Sequence, residues 1–466
     1  MKTKDMTVGN SFLTLLLFSI PMILSVTLQQ LYNLADNFIA GHFIESIDSF
    51  DAVGIVYPIT VVFLDIAVGF GVGCGLVSAR YFGGKNYTSL KKTFKVGLAG
   101  TLVLGLITTI LGLIVIYPLL RGMINSSSGE GCFNEALRYM LVYIAGVIFL
   151  FIYNFSMNMF QSFGNSKTPL YFLIFSTVLN VALDILFVVP IKLGSAGLAL
   201  GTIISEAIAA VLSLMVLTKS IDKLDNEKVR GLDKSIFREI LAIAIPSILQ
   251  GLFISVGGVL ITGILTSIGG NYVAGGYSAA YKICYIVINI FTVMCNALSN
   301  FVSQNVGADK YDRLVEGYFS AFSLCLIFCV LATVLILPFK TFWVEIFLSD
   351  KGGENVDLIV ESGRQFITCV VPFFVFVAVK IPLDGILKGA NDMFGFTLGT
   401  SFDLVIRVVG ALILGNLFGY EGIFFAWPIG WGVGMLISII EFFRGRWKKK
   451  CCYPSDMRFR LKNTKS

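Results

Sequence analysis

LLLFSIPMI at residues 15–23 returns as ILAIAIPSI at residues 240–248, and this recurrence decides the fold. The apolar run carries a proline at the same place each time, Pro21 and Pro246, about half a chain length apart. Reading outward, YFGGKNY at 81–87 pairs with NVGADKY at 305–311, so Gly83 answers Gly307 and Tyr87 answers Tyr311. A constant separation across several segments marks an internal duplication. Between the copies lies a basic, polar stretch, 219–238, that reads as a linker.

Each copy is too apolar to dissolve. Of 466 residues, 56% are hydrophobic and 14% charged, where a soluble domain carries about 25% charged residues. With a mean hydropathy of +0.84, the bilayer must be the solvent for most of the surface. Runs of about 20 apolar residues give about twelve spans. In the first copy they lie near 11–41, 52–79, 94–120, 137–160, 169–191 and 196–218. In the second they lie near 239–267, 273–302, 315–338, 362–387, 395–418 and 423–443.

Basic residues set the orientation. With the N-terminus inside, Arg80, Lys85, Lys91, Lys92 and Lys95 share one cytoplasmic loop, Lys219 to Arg238 fall in another, and Arg444 to Lys465 form a tail. Most of the 35 lysines and arginines then lie inside, as the positive-inside rule requires, and both termini are cytoplasmic. Six spans per copy is an even number, so the repeats are parallel. The expectation is an all-α integral membrane protein of two parallel-repeat six-helix bundles around a central cavity. Its parts are an N-terminal lobe (1–218), a cytoplasmic linker (219–238), a C-terminal lobe (239–443) and a basic cytoplasmic tail (444–466).

The net charge of +6 is modest and sits in loops and at the chain ends, which speaks for topology and against nucleic acid as a partner. The single histidine, His42, and cysteines scattered through apolar runs make no metal-ligand pattern. No cofactor and no cleavable signal peptide are expected.

Polar residues inside the spans carry the functional signal. An ionised Asp at a helix centre costs about 2.5–3.5 kcal/mol on insertion scales. The first span nevertheless carries Gln29, Asn33 and Asp36 on one face, the fifth Asn180 and Asp184 four apart, and the sixth Thr202 and Glu206 four apart. The fourth carries Tyr139, Tyr143, Asn154, Asn158 and Gln161. At 1.5 Å per residue, Asp36, Asp184 and Thr202 each lie roughly 8–10 Å from the outer end of their spans, so three helices place oxygen ligands at one level. Two carboxylates close together in a low dielectric cannot both ionise cheaply, so such a pair takes up a proton. Equally, these carboxylates with the Asn180 and Thr202 oxygens suit Na⁺, a hard cation; composition leaves both open. A hydrogen-bonded network that only packs the lobe is the bland alternative.

In the second copy, Asp403 and Arg407 occupy the place of Asn180 and Asp184 and read most simply as an intrahelical ion pair. Lys282, Lys380 and Asp384 either line the cavity or snorkel. Pro21, Pro58, Pro246 and Pro372 are expected to bend their helices.

The chain resembles the multidrug and toxic compound extrusion (MATE) family along nearly its whole length, closest to the DinF-like bacterial branch. The resemblance rests on PMILSVTLQQLYNLADNFIAG at 21–41, GNSKTP at 164–169, LNVALDILF at 179–187, GSAGLALGTIIS at 194–205 and QNVGADKYDR at 304–313. It implies two six-helix bundles in a V that expel substrate in exchange for H⁺ or Na⁺. It also implies a polar N-lobe site at Asp36, Asn180, Asp184 and Thr202. Departures from the family pattern are Phe160-Gln161 where a leucine-arginine pair is common, Asn165 for an Asp, Met157 for an asparagine, Glu206 for a Gln, and Gln250 at the place of a C-lobe carboxylate.

The resulting expectation is an H⁺- or Na⁺-coupled antiporter that exports organic, cationic amphipathic small molecules. Gln29, Asn33, Tyr139, Tyr143, Asn154, Asn158 and Glu206 are the residues expected toward substrate. The chain is expected in a bacterial plasma (inner) membrane as a monomer, since two lobes in one chain need no partner to form a cavity. The alternative is a flippase of lipid-linked precursors, but the in-span cations Lys282, Lys380 and Arg407 are few for binding a pyrophosphate. A membrane enzyme is not expected, for want of a nucleophile-base pair or metal cluster.

Overall fold

The computed structural model describes residues 4–44, 46–124, 129–224, 229, 231–348 and 355–451. The described residues are almost wholly helical: α1 (Ser11–Phe43), α2 (Ile47–Gly83), α3 (Tyr87–Met123), α4 (Gly129–Ser162), α5 (Lys167–Val188), α6 (Ser195–Asp222) and α7 (Lys234–Gly307). Then come α8 (Asp312–Ile336), the short α9 (Lys340–Ile346), α10 (Val356–Val370), α11 (Phe374–Gly389), α12 (Met393–Phe418), α13 (Tyr420–Arg444) and α14 (Arg446–Cys451). This is what lipid demands, because a helix satisfies its backbone polar groups internally. The outward faces suit lipid too: Val103 and Ile114 of α3 are 58% and 66% exposed.

Eleven segments among the described residues are long and apolar enough to cross a membrane. One of them, α7, has 74 residues. A straight helix of that length would measure about 110 Å against a hydrocarbon core of about 30 Å. It breaks at Gly270, whose φ of 74° and ψ of 179° leave the helical region and favour glycine. Counting its two arms separately gives the twelve spans expected. The tenth span is likewise interrupted: α10 passes through a 3₁₀ turn at Val371–Phe373, where Pro372 removes a donor, before α11 resumes.

The duplication is written in the backbone. Lys85 and Asp309, at matching places in the two copies, both adopt positive φ, 54° and 58°. The same turn bond follows each: Asn86 N–H donates to Tyr81 O at 2.9 Å, and Lys310 N–H to Asn305 O at 2.9 Å. After α4 and α11 a second matched turn has Gly164 at φ 69° and Asn391 at φ 63°.

The chain forms two compact units: Ile20–Ser255 in the first, Met6–Ser19 and the described residues from Val256 on in the second. In the first unit α2 is packed between α4 and the first arm of α7. Gly71 and Gly75 admit α4, since β-carbons there would stand 2.7 Å from Asn158 Nδ2 and 3.0 Å from Asn158 O. Outward from this contact, Phe63, Met140, Tyr143, Ile144 and Phe151 form the apolar core. In the second unit α11 is almost entirely buried and α12 packs along α13. Small residues let helices approach where lipid supplies no hydrophobic drive. Gly434 shows this, as a β-carbon there would meet Asp403 Cβ at 2.8 Å and Lys380 Cε at 2.9 Å.

Candidate functional site

α1, α5 and α6 converge on Asp36, Asn180, Asp184 and Thr202. Asn180 and Asp184 are buried, 1% and 0% exposed, one helical turn apart on α5. The Asn180 amide donates to Asp184 Oδ1 at 3.4 Å and to Thr202 Oγ1 at 3.3 Å. The Asp36 carboxyl group lies close enough to Asp184 and to the Tyr32 hydroxyl to interact electrostatically with both. Tyr32, one turn before Asp36, reaches across to Thr202 Oγ1 at 3.3 Å. The level inferred from helical rise therefore corresponds to a physical cluster.

The cluster is short of donors. Asp36 Oδ1, Asn180 Oδ1 and Asp184 Oδ2 are buried oxygens with no hydrogen-bond partner. Orphaned buried acceptors are rare and costly, and three on neighbouring helices suit a donor from outside the chain, namely a proton, a cation or a water molecule. Their chemistry, hard neutral and anionic oxygens, fits each.

An apolar layer closes the cluster one turn beyond. Ala40 lies four residues after Asp36, Val188 four after Asp184, and Leu198 four before Thr202 on the oppositely directed α6. These three join Ile39 in one buried group, with Val181 and Tyr139 packed against it. The periodicity that aligns the polar residues also aligns this plug.

Glu206 lies one turn from Thr202 on α6, with Oε2 buried and unpartnered. It is within electrostatic range of Tyr139, Tyr143 and Tyr153 of α4. The Tyr139 and Tyr143 rings stack with centroids 6.2 Å apart. Gln29 is half-buried farther along α1, and the Asn33 side chain lies outside the described residues. Asn154 and Asn158 are placed elsewhere. Their amides bond back to Leu150 O and Asn154 O at 2.9 Å each, and Asn158 together with the Asn154 carbonyl meets Gly71 and Gly75 of α2. They line a helix contact and do not join the Asp36 cluster.

Two site residues carry no signal in the sequence. Tyr32 is an aromatic in an apolar run, and Gly201 is one glycine among 47. Yet a β-carbon at Gly201 would stand 2.0 Å from Asp184 Oδ1.

The repeat-related place in the second unit is electrostatically closed. Arg407 pairs with Asp403 on α12, Lys380 with Asp384 on α11 at 2.8 Å, and Lys380 reaches Asp403 at 3.8 Å. Ser438 donates to Asp384 Oδ1 at 2.6 Å, and the Arg407 guanidinium lies 4.3 Å from the centroid of the Trp427 ring. The intrahelical pair expected at Asp403–Arg407 is present. Lys380 and Asp384 are buried partners and do not snorkel, whereas Lys282 is exposed.

The family model for MatE matches residues 21–186 and 246–413, one match in each copy of the repeat. The chain is 27% identical over 467 aligned residues to the probable multidrug resistance protein YpnP of Bacillus subtilis (strain 168), covering 96% of this chain and 98% of that protein. It is 22% identical to the multidrug export protein MepA of Staphylococcus aureus (strain MRSA252), covering 88% and 89%. In fold it is similar to a MATE crystal structure in complex with MaL6, with a TM-score of 0.89, 22% identity, and 97% and 100% of the two chains covered.

Proposed function

The chain belongs to the MatE family of multi-pass membrane transporters, and from that membership we propose that it exports small organic molecules, foremost cationic amphipathic ones, in exchange for an inward-moving cation. It is a transport protein and not an enzyme. The names of its relatives, a probable multidrug resistance protein and a multidrug export protein, support the substrate range. The observation that carries the coupling is the trio of unpartnered oxygens on Asp36, Asn180 and Asp184.

A proton is the better-supported coupling ion. Two neighbouring carboxylates repel, and one proton between them removes the repulsion. Na⁺ would find the Asn180 Oδ1 free, but Thr202 Oγ1 already takes a hydrogen bond from the Asn180 amide and another with Tyr32. In the cycle proposed, uptake of the ion neutralises the pair in one facing of the protein, and its release resets the other. Moving one charge inward through 100 mV yields about 2.3 kcal/mol, and differential binding to the two facings turns this into export.

The distribution of basic residues supports both termini in the cytoplasm of a bacterium, and a single chain with both repeats supports a monomer. The flippase alternative gains no support: Lys380 and Arg407 are neutralised by their own carboxylates. Proteoliposomes with pH and Na⁺ gradients imposed separately test the reading. Drug movement under the pH gradient alone, lost in Asp36→Asn, is expected. Transport that persists with both gradients collapsed refutes it.

A further inference from the structure

The mechanism above makes no use of Asp65, a carboxylate within a membrane-spanning helix. Asp65 stands midway along α2, with Oδ2 accepting a 2.6 Å hydrogen bond from Ser255 Oγ of α7. Among the described residues no cationic side chain pairs with it. The setting is made for this group. A β-carbon at Gly251, one turn before Ser255, would lie 2.9 Å from both Asp65 Cγ and Oδ1. Along the same face of α2, Gly69 closes on Ile248, and a β-carbon at Gly73 would stand 2.8 Å from Ala244 Cβ. α2 and the first arm of α7 are thus zipped together from Ala244 to Ser255. Ser255 is the last residue of the first unit, and α7 leaves that unit immediately afterwards. Asp65 is the final tooth of the zip and remains only half-buried.

A carboxylate within a membrane-spanning helix that no cationic side chain neutralises marks a functional site, and a cationic ligand is the partner its charge would favour. We propose that Asp65, oriented by Ser255 and accommodated by Gly251, recognises the positive charge of the exported organic cation. It is a specificity-determining residue separate from the Asp36–Asp184 pair, which lies on α1 and α5. Its counterpart is a monovalent lipophilic cation whose charge is too diffuse to demand full hydration. The inference rests on the export function proposed above.

The test uses two probes of one shape and opposite charge, tetraphenylphosphonium and tetraphenylborate, with the purified full chain. Asp65→Asn keeps the size and a hydrogen-bond acceptor while removing the charge. It is expected to raise the Kd for tetraphenylphosphonium about tenfold and leave that for tetraphenylborate unchanged or lower. Asp65→Glu is expected to restore cation binding to within about threefold of the original. A role confined to packing would shift both probes alike, and equal shifts, or none, overturn the assignment. If the unaltered protein exports no tetraphenylphosphonium, the export reading fails and this inference with it. If it does and Asp65→Asn binds the cation as well, only the role of Asp65 fails.

Discussion

Gly201 of α6 is pressed against Asp184 of α5, so closely that a β-carbon would stand 2.0 Å from Oδ1. A missing side chain on one helix is what lets the carboxylate of the next turn inward toward Asp36. Gly201→Ala is therefore expected to displace Asp184 and cut gradient-driven efflux at least about tenfold, although alanine is the better helix former by about 1 kcal/mol. Gly54→Ala in α2, where a β-carbon meets nothing within 4 Å, is the control and should transport normally. Efflux from proteoliposomes at matched protein content checks both.

Tyr32 is hydrogen-bonded to Thr202 at 3.3 Å and sets its hydroxyl within electrostatic range of Asp36. Tyr32→Phe keeps the ring and removes that link. A hydrogen bond to a charged group is worth about 1.5–3 kcal/mol, so coupled efflux should fall roughly ten- to a hundredfold with no change in protein level. Rate measurements on Tyr32→Phe, set beside Tyr139→Phe, separate the bridging hydroxyl from a general aromatic effect.

Ile39, Ala40, Val188 and Leu198 form a buried apolar layer one turn beyond the cluster, a barrier to water on that side. Leu198→Ser puts a hydroxyl in that layer and should open a water path to the carboxylates. The expected result is passive proton leak into proteoliposomes without substrate, followed with an internal pH dye. A tight membrane would show that the barrier lies elsewhere.

In the second unit, Asp403 neutralises the buried Arg407 and also reaches Lys380. Asp403→Leu leaves buried cations uncompensated, at a cost of about 3–5 kcal/mol. Asp403→Leu combined with Arg407→Met removes both charges of the intrahelical pair and should recover most of that loss. Thermal unfolding in detergent reads the difference. Equal destabilisation by the single and double variants would contradict a structural ion pair.

What could be read from the residues alone was whatever contrasts with an oily background. Asp36, Asn180, Asp184 and Thr202 stand out because carboxylates and amides are costly in lipid, and helical rise fixes their depth. The Asp403–Arg407 pair follows from a spacing of four. What the residues alone do not display is what only packing creates. Gly201 and Tyr32 look ordinary until α5 and α6 are set side by side, and Asp65 gains its meaning from Ser255, 190 positions away. Asn154 and Asn158 are legible as polar positions on α4, but the packing of Asn158 against Gly71 and Gly75 is not. Periodicity tells which residues share a face, not which neighbour that face meets.

Proton release on substrate binding addresses the coupling most directly. Tetraphenylphosphonium added to the purified chain in weakly buffered detergent solution should liberate protons from the unaltered protein and none from Asp36→Asn or Asp184→Asn. Undiminished release from a variant lacking both carboxylates would contradict the account, as would binding with no proton release that depends on Na⁺ instead.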